Sequence, residues 1–304
     1  MSRLGETMRS IKLTADDLAM GQLSNNSVRA AINIMSEDGI VCLRNAIPLK
    51  VIEELHFKMQ SDLDQRMPSR NANAWNSLRP PPFKPYLFRE IVYNEFAIDI
   101  CRGVLGEQAT LTTYGANTSW PNQMTAQQVH RDVPDAEIID ACPAVVINIP
   151  MMEFTVENGA TLIYPGSHTA AVGQASGPRR FSKEMLDSRA AVVPSEQTTD
   201  IGPGDLVIRD LRLWHGGMPN NSADRRIMLA LVVIDAEYRH GDESGFKGFE
   251  AEEGSEQFWH HPRLKTSVSF VAAGDRSYYM HGHHSTPKTE LQQEHKTRLS
   301  SEGK

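Results

Sequence analysis

The sequence predicts a mainly β protein, built as a sandwich or barrel, with α-helices ahead of the strands. After residue 108 the chain becomes a succession of short apolar and β-branched segments, separated by turns that contain Gly, Pro and Asn. Before that point, apolar residues recur at the spacing of amphipathic helices. Helices that come first and strands that come later indicate a β core with an α-helical buttress.

Composition is that of an ordinary soluble globular protein. The chain has 304 residues and a mass of 33.9 kDa, with 40% hydrophobic and 23% charged residues. It shows no internal repeat, and no linker is long or biased enough to divide it. We therefore expect one domain over 1–304, with a core at about 36–236 and a C-terminal extension at 239–304.

Charge and cysteine content exclude several kinds of partner. The formal net charge is −7, and no basic stripe is present, which argues against a dedicated binder of nucleic acid or anionic membranes. The three cysteines form neither a CxxC pair nor a disulfide framework. No apolar run approaches the roughly 20 residues that span a bilayer, and the N-terminus lacks the apolar segment of a signal peptide. We expect a cytoplasmic protein, for which a homodimer is compatible with the sequence.

The N-terminal third predicts three helices and one strand. Residues 27–37 carry an apolar face and begin at Ser27, a residue type that favours helix N-caps. Residues 40–43 (IVCL) indicate a buried strand, and Pro48 begins a second helix. A third helix is predicted over 95–105, ending at Gly106.

Residues 66–88 are rich in Pro and Asn and contain Trp75 and Phe83. Pro80 to Pro82 cannot continue a helix or a central strand. A surface loop anchored by aromatic residues and a flap over a site are both open interpretations. In the second interpretation, Trp75, Phe83, Asn71 and Met67 are candidate substrate contacts.

The β-rich region contains six candidate strands. By residue number, these segments are 109–119, 127–133, 144–154, 160–165, 205–215 and 225–238. Beyond about residue 239 the chain is charged, His-rich and irregular, and we expect a solvated segment there.

His130 and Asp132 are candidate metal ligands. Because alternate residues of a strand face the same side, the two side chains would point together and Arg131 would point away. A surface histidine beside a turn-forming aspartate is the alternative. His215, at the end of the 205–215 segment, is far enough along the chain to return beside the pair. Two histidines and one carboxylate on one face are typical of non-haem Fe(II) oxygenases, because three positions of the metal remain open.

Arg225 and Arg226 follow His215 after one turn. A guanidinium brought back by the next strand could bind the distal carboxylate of a 2-oxo diacid in a bidentate fork. Alternation places Arg225 with Ile227 and Leu229 on an apolar packing face, and Arg226 with Met228 on a less crowded face. We favour Arg226, although two solvated arginines at a strand end remain the alternative.

These motifs, in this order, resemble the phytanoyl-CoA dioxygenase-like Fe(II)/2-oxoglutarate oxygenases, over roughly residues 36–236. The matching segments are SEDGIVCLRNAIP at 36–48, HRD at 130–132, ENGATLIYPGSH at 157–168, and PGDLVIRD, LWHGG and NNSADRR within 203–226. The sequence looks closest to fungal members that oxidise specialised metabolites.

The resemblance implies a fold, a set of ligands and a reaction. It implies a double-stranded β-helix (jelly-roll or cupin-like), iron at His130, Asp132 and His215, and Arg226 paired with the C5 carboxylate of 2-oxoglutarate. Gln127 and Thr161 match positions that help to hold the cosubstrate in the fungal members. Strand parity favours Gln128 over Gln127 unless a bulge intervenes, so that choice stays open.

We therefore expect a dioxygenase that uses Fe(II), 2-oxoglutarate and O2 to oxidise an unactivated C–H bond of a small, largely apolar substrate. The expected outcomes are hydroxylation, desaturation or radical rearrangement, with release of succinate and CO2. Halogenating relatives lack the metal-binding carboxylate, so Asp132 disfavours halogenation. A non-catalytic jelly-roll subunit of an oxygenase heterodimer and a zinc hydrolase with the same three ligands are the alternatives.

Overall fold

The computed structural model describes residues 8–65, 76–77, 84–122, 124–133, 141–169, 180–235, 238 and 248–272. Within these residues, the helices are α1 (Ala15–Met20), α2 (Asn25–Asp38), α3 (Leu49–Gln65), α4 (Arg89–Val92), α5 (Glu95–Leu105) and α6 (Lys183–Ala190). The strands are β1 (Ser10–Lys12), β2 (Ile40–Arg44), β3 (Asn76–Ser77), β4 (Thr110–Ser119), β5 (Ala144–Pro150), β6 (Leu162–Ile163), β7 (Glu196–Gln197), β8 (Leu206–Asp210), β9 (His215–Gly216), β10 (Arg226–Ile234), β11 (Phe249–Glu252), β12 (Lys265–Thr266) and β13 (Val268–Val271). A short 3₁₀ turn covers Lys84–Tyr86.

Helix α2 begins earlier than the sequence predicts. Ser24, in an extended conformation, caps it by accepting a hydrogen bond from the Ser27 backbone N–H, so Ser27 itself lies inside the first turn. The Ser27 hydroxyl instead donates to Asp17. The helix ends at Gly39 with a φ of 76°, a left-handed conformation that glycine adopts without strain.

The other N-terminal elements have close to their predicted bounds. Helix α3 starts immediately after Pro48, whose missing N–H costs nothing at that position. Helix α5 covers the predicted residues 95–105, and Gly106 lies at its C-terminus. Helices α2 and α5 contact each other, and α5 also contacts β5 of the main sheet.

A large mixed sheet forms the centre of the described structure. Its strands lie in the order β1, β2, β8, β5, β10, β4 and β12. The short strand β3 is outside this order and pairs with the C-terminal part of β4, at Asn117 and Thr118. The β1–β2 and β12–β4 pairs are parallel, whereas the central pairs are antiparallel. Strand β10 is central, with β5 on one side and β4 on the other.

The two faces of this sheet have different surroundings. On one face, Ile227, Leu229 and Leu231 are fully buried and belong to a core that includes side chains of α2, α3 and α5. On the other face, Met228 and Ala230 are only partly buried. The helices therefore cover one face of the sheet, and the second face has space beside it.

A small three-stranded sheet faces this second side. Its order is β7, β6 and β9, and Ile163 of β6 is paired with His215 of β9. Ile163 and Phe154 share a buried cluster with Cys42 and Val207 of the large sheet. The two sheets are thus joined by a common apolar layer.

Two of the predicted strands are not continuous strands. The predicted 205–215 segment is interrupted: β8 ends at Asp210, and the chain turns before β9 begins in the other sheet. The Asp210 carboxylate accepts hydrogen bonds from the Arg212 backbone and side chain, which stabilises this turn. The predicted 127–133 segment is irregular, because His130 makes only isolated bridges, to His215 and Arg180.

The prediction of an irregular, solvated segment beyond residue 239 is wrong for its described part. Strands β11 and β13 pair in parallel there, and β12 adds to the edge of the large sheet beside β4. Trp259 is buried and its ring contacts Tyr114 and Phe249, so aromatic packing attaches this segment to the core. Residues 239–247 and 273–304 lie outside the described residues. No described helix combines the length and apolar character needed to cross a bilayer.

Candidate metal centre

His130, Asp132 and His215 meet where the irregular 127–133 segment runs beside β9. The backbones of His130 and His215 exchange two hydrogen bonds, each of 2.9 Å, and their ring centroids lie 4.4 Å apart. The Asp132 backbone N–H donates to the Leu211 carbonyl in the turn between β8 and β9. Backbone pairing therefore places the three side chains, although no regular strand carries the first two.

The three side chains offer their ligand atoms to a common point. Nε2 of His130 lies 3.4 Å from Asp132 Oδ1, and Nε2 of His215 lies 3.6 Å from Asp132 Oδ2. One ligand atom from each of the three residues lies within 4.8 Å of the others. Such spacing suits one transition-metal ion, which binds nitrogen and oxygen ligands at roughly 2.0–2.2 Å.

Hydrogen bonds to backbone carbonyls select the ring nitrogens that face this point. His130 Nδ1 lies 2.9 Å from the Gln128 carbonyl oxygen, and His215 Nδ1 lies 3.0 Å from the Leu213 carbonyl oxygen. A carbonyl oxygen can only accept a hydrogen bond, so Nδ1–H is the donor in each ring and Nε2 is the nitrogen that faces the common point. This is the usual arrangement of metal-binding histidines.

The electrostatic environment keeps Asp132 and His215 in metal-binding protonation states. Burial and the nearby Arg209 guanidinium lower the pKa of His215 to about 3, so its ring is neutral near pH 7. Burial alone would raise the pKa of Asp132, but the neighbouring His215 and Arg209 hold it well below its usual range. The aspartate is therefore ionised, and no proton has to leave either group before a cation binds.

Arg209 is the site residue that the sequence analysis missed. It lies on β8, its side chain is 7% exposed, and its Nη2 donates to Asp132 Oδ2 at 2.7 Å. A signal was present: a charged residue interrupts the apolar run LVIRD, and parity places it on the face of Val207. Val207 belongs to the layer between the two sheets.

The two adjacent arginines lie on opposite sides of the large sheet, at the start of β10. Arg226 is 1% exposed, and its guanidinium carbon lies 4.8 Å from the ring centroid of Phe154, in the space between the sheets. Burial lowers its pKa to about 10, so it remains a cation at neutral pH. Arg225 donates to Gln60 of α3 and lies over the Trp120 ring. Strand parity therefore places Arg226, and not Arg225, on the face that the two sheets enclose.

Gln127 and Thr161 flank the strands that carry the site. The Gln127 side-chain oxygen accepts a hydrogen bond from the Gly217 backbone at 3.1 Å, and its backbone N–H donates to the Gly217 carbonyl. Because this segment is not a strand, parity does not decide between Gln127 and Gln128, and the Gln128 side chain is exposed. Thr161 is half-buried and immediately precedes β6. Its backbone carbonyl accepts a hydrogen bond from the Thr198 backbone N–H.

Gly216 allows the close approach of these segments. A Cβ atom added at Gly216 would lie 2.9 Å from the Gln127 carbonyl oxygen, too close for any side chain without a backbone shift. The glycine after His215 is thus required by the packing of β9 against the segment that leads to His130.

The four candidate substrate contacts, Trp75, Phe83, Asn71 and Met67, lie outside the described residues, as does most of the predicted flap. Of the histidines in the His-rich chain beyond residue 239, two lie within the described residues, His260 and His261. His260 is exposed, whereas His261 is buried against Tyr93 and hydrogen-bonds Glu95. His261 therefore packs the C-terminal segment onto α5, and a solvated role for it is wrong.

Comparison with known proteins agrees with this geometry. Residues 86–228 match the family described as Phytanoyl-CoA dioxygenase (PhyH). The chain is 23% identical to dioxygenase aneA of Aspergillus aculeatus, over 70% of this chain and 74% of the relative. It is 26% identical to the iron/alpha-ketoglutarate-dependent dioxygenase ausO of Aspergillus calidoustus, over 66% of this chain and 70% of the relative.

A solved structure shows the same fold. AviO1 from Streptomyces viridochromogenes Tue57 superposes with a TM-score of 0.53 at 17% sequence identity. The match covers 72% of this chain and 100% of that chain. The similarity is one of fold, that is, of the arrangement of the secondary-structure elements.

Proposed function

We propose that this chain, which carries a phytanoyl-CoA dioxygenase family domain, is a 2-oxoglutarate-dependent dioxygenase. We propose further that it oxidises an unactivated C–H bond of a small organic substrate. Fe(II) is the cofactor, 2-oxoglutarate and O2 are the cosubstrates, and succinate and CO2 are released. The observation that carries the proposal is the convergence of two Nε2 atoms and one carboxylate, within 4.8 Å of one another.

The donor set fits Fe(II) in an open site. Two imidazoles and one carboxylate leave three positions of an octahedral ion for other ligands. Among the described residues, no fourth His, Cys, Asp or Glu joins the group, as a closed structural zinc site would require. When bound, the iron supplies O2 activation coupled to oxidative decarboxylation of the 2-oxo acid.

Arg226 is the proposed anchor for the far carboxylate of 2-oxoglutarate. Its cationic side chain is buried between the two sheets, where a charge-assisted hydrogen bond is stronger than in water. We propose that Gln127 and Thr161 assist, because both border the β6–β9 pair that carries His215. In this role they would orient the cosubstrate so that its 2-oxo acid end meets the three ligands.

The substrate we propose is a specialised metabolite of largely apolar character. The face of the large sheet that is not covered by helices includes the half-buried Met228 and Ala230 and the exposed Asn117. Trp75, Phe83, Asn71 and Met67 are proposed to complete the pocket from the 66–88 segment. Hydroxylation, desaturation and rearrangement are alternative outcomes, which depend on how the substrate radical is held.

For the architecture, we propose a single-domain double-stranded β-helix with buttressing N-terminal helices. The apolar layer shared by the two sheets and the helical layer on the opposite face support it. We further propose a cytoplasmic enzyme that does not bind nucleic acid. Light scattering of the purified chain distinguishes a monomer from a homodimer.

The experiment that tests the function replaces the proposed ligands one at a time. His130→Ala and Asp132→Ala are expected to reduce succinate release from 2-oxoglutarate to background while far-UV circular dichroism is unchanged. His260→Ala is the matched control, because His260 is exposed and distant in sequence from all three ligands. Full turnover in both ligand variants would remove the metal assignment.

The same assay separates the two alternatives. A non-catalytic subunit would release no succinate as a lone chain with any candidate substrate and would need a partner. A zinc hydrolase would retain its activity without O2 and 2-oxoglutarate, whereas the proposed oxygenase would be inactive. Screening candidate substrates by how much each accelerates 2-oxoglutarate decarboxylation identifies the substrate class.

A further inference from the structure

Arg209 contacts two of the three proposed metal ligands. Its Nη2 donates to Asp132 Oδ2 at 2.7 Å, and its Nη1 lies 3.2 Å from His215 Nδ1. The side chain is almost fully enclosed, and Nη1 also approaches the Asp210 carbonyl oxygen at 3.4 Å. Its Nη2 is thus held by the Asp132 carboxylate, so Arg209 is placed to act on that ligand.

Without Arg209, the Asp132 carboxylate would be placed almost symmetrically. Oδ1 lies 3.4 Å from Nε2 of His130, and Oδ2 lies 3.6 Å from Nε2 of His215. Carboxylates bind metal ions through one oxygen or through both. Arg209 breaks this symmetry, because Oδ2 accepts a charge-assisted hydrogen bond from it. Oδ1 is then the carboxylate oxygen that is more available to bind a metal.

We propose that Arg209 is a positioning residue that restricts Asp132 to binding the metal through one oxygen, which keeps a coordination position open for O2, and that its charge favours binding of the dianionic 2-oxoglutarate. This inference rests on the proposed function. A carboxylate that bound through both oxygens would fill one of the three open positions, and chelation by the cosubstrate would take the other two, so that no position would remain for O2. Loss of Arg209 would leave the negative charge of Asp132 uncompensated, which would weaken binding of the dianionic cosubstrate without weakening binding of the metal.

The charge of Arg209 acts in the same direction. The guanidinium offsets the formal charge of Asp132, so a bound divalent cation would keep more of its attraction for a dianionic ligand. The contact with His215 contributes nothing to this effect. Nδ1 of His215 must donate to the Leu213 carbonyl for Nε2 to bind a metal, so it cannot also accept from Arg209.

The test compares Arg209→Met, Arg209→Lys and the wild type, with Co(II) as a spectroscopic substitute for Fe(II). Co(II) is titrated first, and 2-oxoglutarate is then titrated into the Co(II)-loaded protein, with absorbance changes as the readout. Arg209→Met is expected to bind Co(II) as tightly as the wild type or more tightly. Its affinity for 2-oxoglutarate is expected to fall about tenfold, as loss of a charged hydrogen bond permits.

Arg209→Lys keeps a charged donor and is expected to restore part of the 2-oxoglutarate affinity. Arg102→Met, on α5, is the control for removal of an arginine outside the site. Unchanged 2-oxoglutarate affinity in Arg209→Met, or weaker Co(II) binding, would overturn the inference. Failure of the wild type to bind Co(II) at all would instead count against the proposed function.

If circular dichroism shows that Arg209→Met does not fold, the Arg209→Lys variant tests the inference in its place. Lysine lacks the planar fork that holds one carboxylate oxygen. A smaller loss of 2-oxoglutarate affinity at unchanged Co(II) affinity would support the inference, and wild-type values for both would contradict it.

Discussion

Arg225 and Arg226 are neighbours in sequence but occupy opposite sides of a sheet. Arg225 reaches the helical layer, where Gln60 accepts its hydrogen bond, and Arg226 is enclosed with Phe154 between the two sheets. Successive side chains of a strand alternate between faces, so this separation follows from β10 being regular at its start. The chemical difference between the two positions is therefore one of environment and not of residue type.

We predict that Arg226→Gln raises the KM for 2-oxoglutarate, whereas Arg225→Gln leaves it close to the wild-type value. Removal of a charge-assisted hydrogen bond in a buried site costs about 1.5–3 kcal/mol, or roughly a 10- to 150-fold change in apparent affinity. Initial rates of succinate release at varied 2-oxoglutarate measure both variants. A larger effect of Arg225→Gln would reverse the assignment of the two arginines.

At the scale of elements, Asp17 joins the start of α1 to the start of α2. Its carboxylate accepts hydrogen bonds from the backbone N–H groups of Thr14 and Ser24 and from the Ser27 hydroxyl. Both helix starts thus have donors satisfied by one side chain. Burial by itself disfavours the charged form, but the hydrogen bonds from Ser24 and Thr14 outweigh it and lower the pKa of Asp17 below its ordinary value of 3.8.

This lowered pKa predicts a pH-dependent contribution to stability. A carboxyl group whose pKa is lower in the folded state stabilises the fold fully above its unfolded pKa and loses that contribution as the pH falls further. Asp17→Asn is expected to lower the free energy of unfolding at pH 7 by about 1–2 kcal/mol, because a charged acceptor is replaced by a neutral amide. The difference from the wild type should shrink as the pH falls below about 4, because the carboxyl group of the unfolded wild type then takes up a proton that the folded protein still excludes.

Urea denaturation of both proteins at pH 7 and at a series of acidic values measures this difference. Asp16→Asn is the matched control, because Asp16 is an exposed neighbour in the same helical turn. A difference between wild type and Asp17→Asn that stays constant down to the most acidic value would contradict the role of ionised Asp17.

At the scale of the whole molecule, the candidate metal centre connects segments that are distant in sequence. His130 and Asp132 precede β5, whereas His215 follows β8, and β5 and β8 are hydrogen-bonded neighbours in the large sheet. The proposed ion would therefore bind the folded chain far better than the unfolded one. Ligands of this kind stabilise the native state by mass action.

We predict that metal and cosubstrate raise the thermal stability of the whole chain. Co(II) at 100 times its dissociation constant should add about 2.7 kcal/mol to the free energy of unfolding. Excess chelator should remove the increase, and Asp132→Ala should not show it at the same concentration. Thermal denaturation followed by circular dichroism makes the comparison, and an equal stabilisation of Asp132→Ala would indicate that Co(II) binds elsewhere.

Local sequence patterns were sufficient for much of the scaffold and for part of the site. Helix α5 ends next to Gly106, as predicted, and β2 starts at Ile40, as predicted. The alternation of side chains at the start of β10 correctly assigns Arg226 to the face between the two sheets. In each case, the decisive interactions join residues that are close in sequence, so their spacing is visible without the fold. The start of α2 was misassigned by three residues, because both Ser24 and Ser27 are suitable caps and only their backbone conformations distinguish them.

The residue types of the site follow from the sequence by itself, but their geometry does not. His130, Asp132 and His215 could be chosen as ligands because two imidazoles and a carboxylate are a recognisable donor set. Only the tertiary structure decided that His130 lies in an irregular segment, and that β8 breaks at Asp210 so that His215 enters the second sheet. It also brought Arg209 to the Asp132 carboxylate. The physical reason is that periodicity reports only on neighbours along the chain, whereas packing between two sheets determines which distant side chains meet.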